Sequence, residues 1–382
     1  MTAPRSLAAA TAVVVALVVG TACDAPLAPD RESKAAGEAT PKPAPTPAPP
    51  ASTSPDPSLS ADRAEAEAKA KEARRKKKEA ARRAATPVIA ISVDGLNPTA
   101  LSQLGAGRLP NVFALIRGGA STLNARTEQE LTETLPNHTG MLTGRPVQGP
   151  AGHEVDFNTD PGGTTVSSHA GRPIASVFDV VHAAGRTTAM YASKSKFALY
   201  QRSWASSIDR AVIDEDNDQL VSRIVADLGS QPAAFTFVHL SAPDSAGHDS
   251  GFMGAEYLRA VERVDGLLGR IRQAVTTSPG LEGRATLVIT ADHGGRGSNG
   301  HADAAKIDDY RIPFIVSGPG VTPGSDLYAL NPDYRDPGTS RPSYDGAQPV
   351  RNADVANLSI RLLGLAPVPG SVFGVSDPLD VR

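Results

Sequence analysis

Three aspartates, Asp94, Asp244 and Asp292, each follow an apolar run, and two of them have a histidine close behind. Asp244 and His248 form D-x-x-x-H in "PDSAGHDSG". In a helix or a tight turn that spacing brings a carboxylate and an imidazole to one ion. Asp292 and His293 are consecutive in "TADHGG", and the glycines behind them supply the sharp turn by which both could reach a metal. Hard carboxylate oxygens combined with imidazole nitrogens suit zinc and related transition metals better than calcium. Singly, each feature has a structural reading, since Asp is a common turn and cap residue and D-x-x-x-H recurs by chance. Three together point to one ligand-binding edge.

The runs that deliver these residues read as strands. "PVIAISVD" ends in Asp94, "AAFTFVHLSAPD" runs out to Asp244, and "ATLVITADHGG" carries Asp292 and His293. "RTTAMYAS" (Arg186 to Ser193) and "RIPFIVSGPG" (Arg311 to Gly320) are two more. Helical patterns separate them, most clearly Gly254 to Val275, where Tyr257, Leu258, Val261, Val264, Leu268, Ile271 and Val275 recur at helical spacing. Near-continuous apolar strands alternating with helices predict an α/β domain with a mainly parallel central sheet and helices on both faces. In such sheets ligands bind at the carboxyl ends of the strands.

The first 86 of the 382 residues are different in kind. Met1 to Ala22 has Arg5, an apolar run from Leu7 to Val19 and then small residues, which reads as a secretory signal peptide and is short for a membrane span. Gly20-Thr21-Ala22-Cys23 resembles a bacterial lipoprotein cleavage box, and Cys23 is the sole cysteine, so no intrachain disulfide is possible. The expectation is a protein exported across a bacterial cytoplasmic membrane and lipid-anchored to its outer face through Cys23. Residues 23–60, rich in Pro and Ala, read as an extended linker. Residues 61–86 read as a charged spacer helix with no apolar stripe. This spacer carries a net charge of +5, and residues 87–382, the main domain, carry about −7. An acidic main domain argues against nucleic acid as a partner. No protein partner is expected.

"ELTETLPNHTGMLTGR", Glu130 to Arg145, holds the remaining chemistry. Threonine is a common helix cap and Pro136 suits a first helical turn, so Thr134 on local pattern opens a helix. Residue types alone do not separate Thr134 from Thr132 or Thr139 as a nucleophile.

The order Asp94, "TLPNH", "PDSAGH" and "TADHGG" resembles the alkaline phosphatase superfamily, and within it the type I phosphodiesterase/nucleotide pyrophosphatase branch, across essentially all of residues 87–382. The resemblance implies two zinc ions, one held by Asp94, Asp292 and His293 and the other by Asp244, His248 and a later histidine. His301 is the only histidine after His293. It further implies Thr134 as nucleophile and metal ligand, Asn137 as donor to a phosphoryl oxygen, and a phosphothreonine intermediate. His138 reads as a packing or hydrogen-bonded residue. "GPAGHEVDFN" resembles a pocket-shaping segment, which makes Phe157 and Asn158 candidates to touch a leaving group. Lys194 and Lys196 in "ASKSKF" follow a strand end and read as exposed lysines rather than substrate contacts.

The implied activity is hydrolysis of a small phosphodiester or nucleotide-like substrate. Phosphonoacetate-type C–P hydrolysis and phosphomonoester hydrolysis use compatible parts, and phosphoglycerol transfer fits less well. A surface lipoprotein that keeps the fold only for binding is the non-enzymatic alternative. A sulfatase needs Cys or Ser in a C/S-x-P-x-R context, where this chain has Thr134. A metal-dependent phosphoglycerate mutase needs serine and an inserted domain.

Overall fold

The computed structural model describes residues 67–72, 86–298 and 300–382, which belong to one unit spanning 64–382. Residues 67–72, inside the expected spacer, are helical. The expected signal peptide, the linker and the rest of the spacer lie outside the described residues. Among the described residues no helix is long and apolar enough to cross a membrane.

Eight strands form the sheet: β1 (Val88–Val93), β2 (Ala120–Arg126), β3 (Thr188–Ala192), β4 (Arg210–Ile213), β5 (Phe235–Leu240), β6 (Thr286–Thr290), β7 (Arg311–Ser317) and β8 (Ser325–Asp326). Their order is β4-β3-β5-β1-β6-β7-β2-β8. Every neighbouring pair is parallel except those involving β7, which runs against β6 and β2. The α/β class and the mainly parallel sheet follow the sequence expectation, and "RIPFIVSGPG" is its one antiparallel strand. In β1, β3, β5 and β6 every residue is buried. That burial on both faces is why these strands read as unbroken apolar runs rather than alternating ones.

The helices α1 (Pro98–Arg108), α2 (Pro110–Arg117), α3 (Thr134–Thr143), α4 (Asn217–Ser230), α5 (Ala242–Ser250), α6 (Ala255–Thr277) and α7 (Asp354–Leu362) pack in two sets. Helix α6 lies against α1, α2, α4 and α5, whereas α7 lies against α3, the short helix Val177–Ala183 and β1. Helix α6 buries Tyr257, Val261, Val264, Leu268, Ile271 and Val275, the stripe expected from its periodicity.

Register carries the functional consequence. Val93 pairs with Leu240, Ser92 with Thr290 and Ala192 with His239. The adjacent strands β3, β5, β1 and β6 therefore end level, at one edge of the sheet.

Candidate metal centre and nucleophile helix

That edge gathers Lys194, two residues beyond β3, with Asp94 directly after β1 and Asp292 and His293 after β6. Asp244 does not sit at a strand end, as the sequence suggests, but in the first turn of α5, four residues past β5. There the D-x-x-x-H spacing becomes i,i+4 on a helix, and His248 Nε2 lies 3.3 Å from Asp244 Oδ1. Close packing of β1 on α5 fixes the approach. Gly95 adopts φ +72°, and a Cβ there would meet Asp244 at 3.0 Å, so glycine is required on both counts.

The expected ligands converge in two groups that share Asp244: Asp94, Asp244 and His293, and Asp244, His248 and His301. Asp292 joins the first, its Oδ2 3.3 Å from His293 Nε2, which is also 3.3 Å from Asp94 Oδ1. In the second, His301 Nε2 lies 3.2 Å from His248 Nε2 and 3.6 Å from Asp244 Oδ1.

Tautomers follow from the other ring nitrogens. His293 Nδ1 donates to the Gly294 carbonyl (3.0 Å) and His301 Nδ1 to that of Thr132 (2.6 Å), so each presents a bare Nε2 lone pair inward. Asp94 Oδ1, Asp244 Oδ1, Asp292 Oδ2 and His293 Nε2 are all buried without a hydrogen-bond partner. Acceptors facing acceptors repel, and a cation resolves the arrangement. Ligand atoms about 2.0–2.1 Å from a tetrahedral ion stand roughly 3.3 Å apart, which matches the separations here. The donor set fits a metal of the zinc class.

Electrostatics differ among the carboxylates. Burial pushes Asp94 up, but Lys194, His239 and His293 outweigh it and hold the carboxyl well below its usual range. Burial and Asp94 push Asp244 up, while His248, His293 and Lys194 bring it down to about 2. At Asp292 burial beside Asp94 and Asp244 outweighs the charge of Lys194 and raises the carboxyl well above the usual value. Burial lowers His293, and burial together with His293 takes His301 down to about 3. The Asp244 carboxylate beside it raises the half-exposed His248.

Thr134 is buried at the first position of α3. The cap position belongs to Glu133, and no side chain caps this helix, so the local reading of Thr134 as a capping residue does not hold. His138 Nδ1 donates to the Thr134 carbonyl (2.7 Å) and its Nε2 accepts from Ser92 Oγ (2.8 Å), which pins the first turn of α3 to β1. His138 Nδ1 is also 3.6 Å from Asp292 Oδ2, so the turn bearing Thr134 abuts the ligand cluster.

Asn137 does not fit the role expected of it. Its Nδ2 donates to the carbonyls of Leu131 (2.8 Å) and Glu133 (2.9 Å). Its Oδ1 accepts from the Glu128 amide (2.9 Å) and Asn352 Nδ2 (2.9 Å), which leaves nothing to offer a phosphoryl oxygen. Asn158 stands nearer that task. Its Oδ1 accepts from the Leu135 amide (3.1 Å), next to Thr134, and from Lys196 Nζ (3.0 Å). Phe157 instead packs edge-on against His169, with centroids 4.8 Å apart.

Two residues behind the ligands escape sequence reasoning. His239, within β5, donates from Nε2 to Asp94 Oδ2 (2.9 Å), and its only trace in the sequence is a histidine inside an apolar strand. Lys194, read as exposed, is mostly buried, and its Nζ lies 2.6 Å from both Asp94 Oδ2 and Asp244 Oδ2. The spacing that would expose it in a loop is overridden by the level strand ends.

Comparisons with known proteins bear on the family and the fold. Three curated relatives match over short stretches, two of them as follows. GPI ethanolamine phosphate transferase 1 of Aspergillus oryzae is 34% identical over 140 residues, 34% of this chain and 13% of that protein. The 2,3-bisphosphoglycerate-independent phosphoglycerate mutase of Thermomicrobium roseum is 38% identical over 115 residues, 28% of this chain and 20% of that protein. This chain thus matches only a minor part of either relative's length. Among solved structures, inactive murine ectonucleotide pyrophosphatase/phosphodiesterase 5 in complex with AMP shares the fold with a TM-score of 0.58 at 14% identity, over 77% of this chain and 99% of that one. A 2-O GAG sulfatase aligns with a TM-score of 0.54 at 12% identity, over 77% of this chain and 74% of that one. The model of type I phosphodiesterase/nucleotide pyrophosphatase matches residues 88–333, more than half of the chain, and the protein belongs to that family within the alkaline phosphatase superfamily.

Proposed function

We propose that this protein is a two-zinc phosphodiesterase that uses Thr134 as its nucleophile. The observation that carries the reading is the set of buried, partnerless acceptors, Asp94 Oδ1, Asp244 Oδ1, Asp292 Oδ2 and His293 Nε2, packed beside the first turn of α3. Asp94, Asp292 and His293, with Thr134, would hold one ion, and Asp244, His248 and His301 the other. Zinc bound there supplies Lewis acidity that makes the threonine hydroxyl acidic and neutralises charge on the oxygens at phosphorus.

The chain's own residues do the rest. Thr134 Oγ attacks phosphorus in line, a P–O bond forms, and the bond to the departing alcohol breaks. Water then cleaves the phosphothreonine and restores Thr134. His138, through the Thr134 carbonyl, sets the hydroxyl's direction. Asn158 Nδ2 donates to a phosphoryl oxygen beside the helix N-terminus, where backbone N–H groups favour an anion. The murine protein of the same fold is in complex with AMP, which supports a nucleotide-like substrate here.

A second reading, phosphomonoester hydrolysis, draws support from Lys196. Its ammonium on Asn158 places positive charge where a dianionic phosphoryl group would carry more negative charge than a diester. Hydrolysis of an aryl phosphodiester and its monoester by the zinc-loaded protein separates the two, with Thr134→Ala as control. Diester turnover abolished in the variant supports the first reading, and a monoester preference supports the second. Turnover of either substrate unchanged in Thr134→Ala removes the nucleophile assignment.

Export and lipid anchoring through Cys23 are part of the same proposal and rest on the leader sequence. Radiolabelled palmitate incorporated by the expressing bacterium and lost in Cys23→Ser would support the anchor. Equal label in both would refute it.

A further inference from the structure

We propose that Lys194 is a built-in counter-charge of the metal centre, which stabilises the folded site without metal and weakens its hold on metal. The inference rests on the reading that these ligand groups bind zinc, and it concerns a residue outside both groups. The Lys194 ammonium bridges one carboxylate of each group, at 2.6 Å from Asp94 Oδ2 and 2.6 Å from Asp244 Oδ2. Both carboxylates turn their other oxygen, Oδ1, into the cluster of partnerless acceptors. A metal held there would therefore take the oxygens of these two carboxylates opposite to those the lysine holds. Both can bind together, but two cations a carboxylate's width apart repel each other, and in a buried site that repulsion is weakly screened.

The lysine is held in place by its own strand end. Ser193 Oγ donates to the His239 carbonyl (3.0 Å) and accepts from the Ser241 amide (2.7 Å), which fixes the chain just before Lys194 against β5. The side chain is only 19% exposed. Asp94 Oδ2 also receives the His239 Nε2 proton, so that oxygen has two donors and Oδ1 none. Among the described residues, Lys194 is the only lysine or arginine in ion-pair contact with Asp94, Asp244 or Asp292. Three buried carboxylates thus have one fixed positive charge among them.

Removing that charge has opposite consequences with and without metal. In the metal-stripped protein Asp94 and Asp244 lose their shared partner, and truncating one member of a buried ion pair is strongly destabilising. In the loaded protein, zinc no longer competes with an ammonium for the same carboxylates.

The test compares the whole chain with Lys194→Met, Lys194→Gln and Lys194→Arg, each stripped with chelator and titrated with zinc, by melting temperature and by competition against a zinc indicator. The two neutral variants should melt about 10 °C lower when stripped. They should recover close to the wild-type value in zinc and bind it roughly tenfold or more tightly. Lys194→Arg, which keeps the charge, should stay near wild type in both measurements. Weaker zinc binding in the neutral variants would overturn the proposal and make Lys194 a brace that positions ligands. An unchanged melting temperature of the stripped variants would overturn it too, as would neutral variants that fail to fold even in zinc. Wild-type protein that binds no zinc would instead sink the metal reading itself, so the two failures are told apart.

Discussion

Two clusters of buried acids flank helix α3, and they handle burial in opposite ways. Near its N-terminus stand Asp94, Asp244 and Asp292. On another side stand Glu128 and Asp354, with Tyr334, Tyr344 and Arg351. In the second cluster donors are supplied. Tyr344 donates to Glu128 Oε2 (2.6 Å), Tyr334 to Asp354 Oδ1 (3.1 Å), and the Arg351 amide to Asp354 Oδ2 (2.8 Å). The Arg351 guanidinium spends its protons on the Thr127 carbonyl (2.8 Å), Gln348 Oε1 (3.0 Å) and the Pro342 carbonyl (2.9 Å), and it stacks over Tyr344. Burial raises Glu128 to about 8 and Asp354 to about 6, so protonation relieves what donors leave, including the unpaired Glu128 Oε1. The first cluster keeps Asp94 ionised and leaves oxygens and a histidine nitrogen bare at 3.3–4.0 Å from one another. Buried acids alone therefore do not mark a site. Buried acids denied donors do.

The sharpest way to break the contrast is at Asp244, which belongs to both ligand groups. Asp244→Asn should lower kcat/KM roughly 10⁴-fold and reduce bound zinc, measured by turnover and metal analysis. Retention of both ions and of activity would mean that the bare acceptors are not ligands. His239 tests the layer behind. His239→Ala removes the donor on Asp94 Oδ2 and should cost roughly 10–100-fold in zinc affinity or activity. A loss of melting temperature without any change in zinc affinity would demote His239 to packing.

The opposite signature belongs to the second cluster. Arg351 is 1% exposed, and Arg351→Met strands Gln348 Oε1 and the carbonyls of Thr127 and Pro342. Three buried acceptors left without a donor should cost about 3–5 kcal/mol in all, seen as a melting temperature about 10 °C lower. Zinc content and kcat at 20 °C should stay within about twofold of wild type. A catalytic defect as large as that of His239→Ala would dissolve the distinction between the two clusters.

How far this contrast was legible in the sequence depends on the kind of signal. Buried parallel strands announce themselves as unbroken apolar runs, so β1, β3, β5, β6 and β7 could be read, along with α6 from its stripe. β2, with Ser121, Asn124 and Arg126, has no such pattern, and two-residue β8 is too short for any. The direction of β7 is set by its partners rather than its composition. At the site, the expected ligands stood out because Asp and His cluster in short motifs at or just past strand ends. Lys194 and His239 did not, since their roles come from the level register of β3, β5 and β1, which joins residues far apart in the chain. Asn137 was misread because its motif marks a helix start but not which way an amide turns. Asn158 emerges only when its loop is seen against Leu135.

The smallest effect sharpens the comparison most finely, because it asks whether the second cluster relies on protonation. An unfolded Glu128 ionises near 4.5, whereas in the folded protein burial holds the proton up to about 8. Between those values the folded state binds one more proton than the unfolded one, so its contribution to stability is full below about pH 4.5, falls as pH rises to about 8, and is flat beyond. Glu128→Gln is neutral in both states and removes this slope. The melting temperature of the variant relative to wild type should therefore rise from pH 5 to pH 8, by about 5 °C in total. A difference that stays constant across that range would mean that Glu128 is already ionised in the fold, with Tyr344 and Arg351 carrying its charge. Protonation would then cease to separate the two clusters, and the count of donors would be left as the whole of the difference.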